Sequence, residues 1–183
     1  MNILRWLSFF ILVYLMLGIQ LGIGAYAQFR GVAPNLLLLV VVFISLNAPR
    51  AEAMFGSFLL GMLQDLVTLQ PLGMFAFSYG LVALLVSWAA EFVRPGHPLT
   101  HVCFVFAGGC VTSLVLMTHQ LIHPIGPAVM HQGVMVHALR LGPRVLAVST
   151  VYSTLLAPVI LGILGRMRIF FGFQQNQRRR GRV

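Results

Sequence analysis

Charge is almost missing from this chain, and no other feature limits its fold as much. Of 183 residues only 8% are charged, while 59% are hydrophobic. The acids are Glu52, Asp65 and Glu91, and every basic side chain other than histidine is an arginine. A soluble domain carries roughly 25% charged residues to cover its surface. Here too few polar groups exist to face water, which excludes a soluble enzyme and a free nucleic-acid-binding domain. A bilayer accepts such a surface. One span takes about 20 mostly apolar residues, so the length allows about six with short loops.

The apolar runs mark the crossings. The first covers residues 4–27. It is longer than the ~7–15 apolar residues of a secretory signal, so it reads as a retained span. Gly18 and Gly22 form a GxxxG pair on it, a spacing that permits close helix approach. Runs 34–48 and 51–66 are each shorter than a usual span. One broken segment, two tilted helices, or a helix with a re-entrant piece would fit them. Two short helices joined at the Asn47–Pro49 turn are preferred, because the residue before a proline avoids helical geometry. Runs 72–93, 101–122 and 144–165 follow, the last expected to kink at Pro158. Between the last two, His123 to Pro143 holds three prolines, three histidines and three glycines, which rules out one regular span. It reads as the longest loop, with a short interfacial helix around Val129–Leu141. Residues 166–183 are a polar tail. The expected fold is all-α: a polytopic membrane protein of about six transmembrane helices, forming a single transmembrane domain over residues 1–183.

Arginine placement orients it. With the N-terminus inside, Arg5, Arg50, Arg94, Arg166, Arg168, Arg178, Arg179, Arg180 and Arg182 fall on the cytoplasmic side. Arg30, Arg140 and Arg144 fall outside. The positive-inside rule then favours six spans with both termini cytoplasmic. The net charge of +9 is therefore a topology signal. The tail cluster adds affinity for anionic lipid at about 1 kcal/mol per charge. No nucleic-acid partner is expected.

Chemistry-bearing residues are sparse. Glu52 lies two residues from Arg50, and Glu91 lies three residues before Arg94, which is helix-neighbour spacing, so both are expected to pair locally near the cytoplasmic interface. Asp65 has no basic neighbour in sequence. Ala53, Ser57 and Gly61 precede it at steps of four and make a small-residue ridge that would let another backbone approach. An anion near a helix C-terminus is unfavourable. Asp65 should therefore cap a following turn or meet an arginine from another segment. His97 with His101 and His119 with His123 have metal-ligand spacing, but Pro98 and Pro124 disturb the helices that spacing needs, and no HExxH pattern occurs. Cys103 and Cys110 would lie about 10 Å apart on one helix face, beyond disulfide reach. No serine has the GxSxG context and no carboxylates pair. No catalytic residue, metal or cofactor is expected, and the protein reads as a non-enzyme.

Four pieces of the stretch Pro34 to Val93 carry a resemblance: Pro34-Asn35-Leu36-Leu37-Leu38, Gly61-Met62-Leu63-Gln64-Asp65-Leu66, Pro71-Leu72-Gly73, and the aromatic Tyr79. Together they resemble the rod shape-determining protein MreD family, with Asn35 standing where that family commonly has Asp. The resemblance implies an inner-membrane scaffold of the machinery that elongates the cell wall. Its implied partners are MreC and, through it, the filament MreB, the glycosyltransferase RodA and the transpeptidase partner of RodA. It also implies a fold similar to the substrate-binding subunits of energy-coupling-factor vitamin transporters. That supplies the rival reading, a small-molecule-binding membrane subunit, with Asp65, Gln70, Gln120 and the loop histidines as its thin pocket lining. The candidate partner or structural residues are Ala53, Ser57, Gly61, Gln64, Asp65, Pro71 and Gly73. The Ala53/Ser57/Gly61 face is the preferred docking surface for the MreC helix and Gly18/Gly22 the competing one. Gly61→Leu is expected to weaken MreC binding without unfolding the protein.

Overall fold

The computed structural model describes residues 3–22, 32, 34–68, 72–92, 98–122 and 143–167. Among them are six helices: α1 (Ile3–Gly22), α2 (Leu36–Asn47), α3 (Arg50–Thr68), α4 (Met74–Ala89), α5 (Pro98–Ile122) and α6 (Pro143–Met167). Two stretches, Leu99–His119 in α5 and Val145–Arg166 in α6, are long and apolar enough to cross a bilayer. The Arg94 junction, the loop His123–Gly142 with its proposed interfacial helix, and the tail beyond Met167 lie outside the described residues.

Local signals explain the helix ends. Asn35 caps α2, its Oδ1 accepting from the Leu38 amide at 3.1 Å, as an N-cap side chain does for the first free donors. Pro49 separates α2 from α3, and Arg50 opens α3 directly behind it. Gly73 stands before α4 at φ 102°, a left-handed conformation that suits glycine.

Helix α2 is the axis of the bundle. It is apolar all round, and Leu37 through Ser45 are all buried, the pattern of a helix enclosed on every side. It packs against each of the other five helices. Around it α3 pairs with α4, α4 with α5, and α5 with α6. Glycines set the closest crossings. Gly108 brings α5 against Leu38, Val42 and Val82, and Gly109 brings it against Thr150 of α6.

The outer surface is inverted relative to a soluble protein. On α3, Met54, Phe55, Phe58, Met62 and Leu66 face out, while Ala53, Gly56, Ser57, Gly61, Gln64 and Asp65 face in. A contiguous apolar exterior of this kind is an aggregation liability in water and the expected surface in lipid. Arg50 pairs with Glu91 across the α3–α4 hairpin, a contact between segments that local spacing does not offer.

Candidate functional site

A dense group of polar contacts gathers where α1 and α3 end and α2 and α4 begin. Asp65, in the last turns of α3, is 0% exposed. Its Oδ2 accepts from the Gly73 amide at 2.9 Å and the Ala76 amide at 3.2 Å. Its Oδ1 accepts from the Phe75 amide at 2.9 Å. Both oxygens act only as acceptors, the role of an ionised carboxylate. Helix α4 has no capping side chain of its own, so Asp65 supplies the cap from the neighbouring helix. The arrangement satisfies donors that the first turn of any helix leaves free. It also places negative charge at the positive end of the α4 dipole. Of the two compensations that sequence leaves open, the structure uses the cap.

The adjacent residue, Gln64, begins a second group. The Tyr79 hydroxyl of α4 lies 3.1 Å from Gln64 Oε1 and 2.9 Å from Asn35 Oδ1. A phenol has one proton, so it donates to one amide and, with the other amide turned over, accepts an N–H from it. The Asn35 backbone N–H donates to Ser153 Oγ of α6 at 2.8 Å. The Leu37 amide donates to Gln20 Oε1 of α1 at 3.1 Å. Five helices thus meet through side chains around the start of α2. In an apolar medium such polar pairs specify position, because any displaced arrangement leaves buried groups unpaired.

The ridge of small residues is closed from inside. Ala53, Ser57 and Gly61 are buried. A Cβ on Gly61 would stand 2.5 Å from Ala76 Cα and 2.6 Å from the Ala76 nitrogen. That face is covered by the chain itself, which corrects its reading as an open groove for a partner helix. Ser57 Oγ is buried without a hydrogen-bond partner among the described residues. The competing pair on α1 is in the opposite state. Gly18 and Gly22 are exposed, and a Cβ on either would meet nothing within 4 Å among the described residues. Beside them on the outer side stand Ile11, Leu15, Leu21 and Tyr14, the last 82% exposed.

Of the other sequence candidates, Gly73 is the residue before α4, and Pro71 lies outside the described residues, as do Gln70, His97 and the histidines from His123 onward. Among the residues proposed to line a ligand pocket, Asp65 has both oxygens engaged by α4. No group of three or more His, Cys, Asp or Glu residues that could hold a metal occurs among the described residues. Sequence reasoning passed over Gln20, Ser153, Gly108 and Gly109. Asn35, which stands where the resembled family commonly has Asp, is part of the junction. Its side-chain oxygen accepts from the Leu38 amide and lies 2.9 Å from the Tyr79 hydroxyl. The signal for Asn35 was present, a capping residue directly before an apolar run. Gln20 and Ser153 had none, because their partners lie in other helices.

A family model described as rod shape-determining protein MreD matches residues 1–167. No curated protein and no solved structure matches the chain.

Proposed function

The chain belongs to the rod shape-determining protein MreD family, and from that premise we propose that it is a non-enzymatic scaffold of the cell-wall elongation complex. A membrane location and a role in rod shape determination come with the family. The scaffold reading goes further: the protein docks the single transmembrane helix of MreC and, through it, joins RodA, the transpeptidase partner of RodA and, indirectly, MreB. The observation that carries the docking surface is the contrast between the two glycine faces. Gly61 is packed against a backbone of its own chain, while Gly18 and Gly22 on α1 stand open. Helices associate in a bilayer by close packing and a few polar contacts, since lipid is as apolar as they are. An open glycine pair offers that packing, and the exposed Tyr14 one turn before Gly18 offers a hydroxyl to a partner.

Gly18→Leu and Gly22→Leu should each lower recovery of co-purified MreC by about tenfold, equivalent to ~1.4 kcal/mol, with no change in thermal stability of the protein alone. Gly162→Leu is the control, a glycine on α6 that also has open space around it. Undiminished MreC recovery with Gly18→Leu rejects the α1 surface.

The same reading takes the protein as multi-pass in the inner membrane with both termini cytoplasmic. A reporter fused after Val183 should behave as cytoplasmic and one inserted near Gly133 as periplasmic. Reporters giving the same side would overturn the six-span topology.

A further inference from the structure

Helical hydroxyls in this protein follow a habit. Ser45, Thr68, Ser78, Thr118, Thr150 and Thr154 each donate to the carbonyl four residues back, a local way to satisfy a hydroxyl within a helix. Thr112 on α5 departs from it. It is 4% exposed, and its Oγ1 has no hydrogen-bond partner among the described residues. An unpaired hydroxyl in an apolar interior carries its full desolvation cost, so its orientation needs a reason.

Neighbouring contacts locate it. Gly108 lies one turn earlier on the same face of α5 and looks onto Leu38, Val42 and Val82. Helices α2 and α4 run parallel, since Asn35 meets Tyr79 at one level and Ser45 meets Ser87 further along. Ser113, next to Thr112, meets Thr150 of α6, and Ser153, one turn on from Thr150, accepts from Asn35. One turn beyond Gly108 therefore brings Thr112 toward the level of Asn35 and Tyr79. At that level the side-chain amides of Asn35 and Gln64 flank the single hydroxyl of Tyr79.

We propose that Thr112 and the Asn35–Tyr79–Gln64 junction hold one buried water molecule between them. Water is the ligand this chemistry fits. The groups are neutral, they include both donors and acceptors, and buried waters typically make about three hydrogen bonds to polar groups otherwise left unpaired. The site would link α5 to a junction that the direct hydrogen bonds build from the other five helices.

The test is thermal unfolding of the purified full chain in mild detergent. Thr112→Val keeps the shape and removes the hydroxyl. With the water in place it should lower the midpoint by roughly 2–4 °C, and Thr112→Ser should restore it. Tyr79→Phe combined with Thr112→Val should cost less than the sum of the two single changes, because both act on one water. An unchanged or raised midpoint for Thr112→Val would overturn the site, since a methyl in place of an unpaired hydroxyl relieves a penalty. Strict additivity with Tyr79→Phe would also overturn it. If Tyr79→Phe does not fold, the valine and serine variants decide alone.

Discussion

Asp65→Ala is expected to remove most of the folded protein from the membrane. The substitution leaves the Gly73, Phe75 and Ala76 amides without the acceptor they share. A buried donor stripped of its partner costs about 1–3 kcal/mol, so three of them approach the ~5–15 kcal/mol that holds a typical fold together. The loss cannot be made up by water, because Asp65, Phe75 and Ala76 are all buried. Asp65→Asn should fall between alanine and wild type. It keeps one acceptor oxygen, but it loses the charge that favours the α4 N-terminus and turns an NH2 group toward other donors. Membrane abundance and the monodisperse fraction on size-exclusion chromatography measure both variants. Wild-type abundance and melting for Asp65→Ala would show that α4 needs no cap from α3.

Gly61→Leu is the second large effect, and its expected outcome is reversed by the structure. Read from sequence, the change fills a groove meant for a partner. In the folded chain a Cβ at this position already meets the Ala76 backbone at 2.5–2.6 Å. Side chains can rotate away from an intruder, but a helix backbone can only move as a body. Extra core atoms usually cost about 1–3 kcal/mol where side chains can adjust, and this contact should exceed that range. Gly61→Ala should already lower stability, and Gly61→Leu should abolish recovery of monodisperse protein. Parting α3 from α4 at this crossing also pulls Asp65 from the amides it caps, so the two sites should be coupled. A double variant with Asp65→Ala should therefore be less damaging than the sum of the single losses. Should Gly61→Leu instead fold normally, the close approach of α3 and α4 would be refuted.

Much of the architecture is legible in the residues themselves. Scarcity of charge demands a bilayer, and the apolar runs delimit the helices. Pro49 breaks the chain between α2 and α3 because proline and the residue before it both resist helix. The weight on Asp65 and Gly61 was also legible, since an unpaired acid among apolar residues must find a partner. Arg50 shows where such reading stops: its ion pair with Glu91, past the far end of the next helix, has no signal in local spacing.

By itself the sequence determined what is local: which segments are helical, which prefer lipid, and which residues could not be left without compensation. Hydropathy and capping act over a few residues, so a few residues suffice to read them. Only the tertiary structure decided what met what. It turned Asp65 toward the start of α4, closed the Gly61 face against Ala76, and left Gly18 and Gly22 open. It also drew Gln20, Asn35, Gln64, Tyr79 and Ser153 into one junction. In an apolar solvent hydrophobicity does not choose among helix faces, because lipid satisfies all of them equally. The choice falls to close packing and hydrogen bonds between residues distant in sequence, and those depend on the whole bundle being assembled.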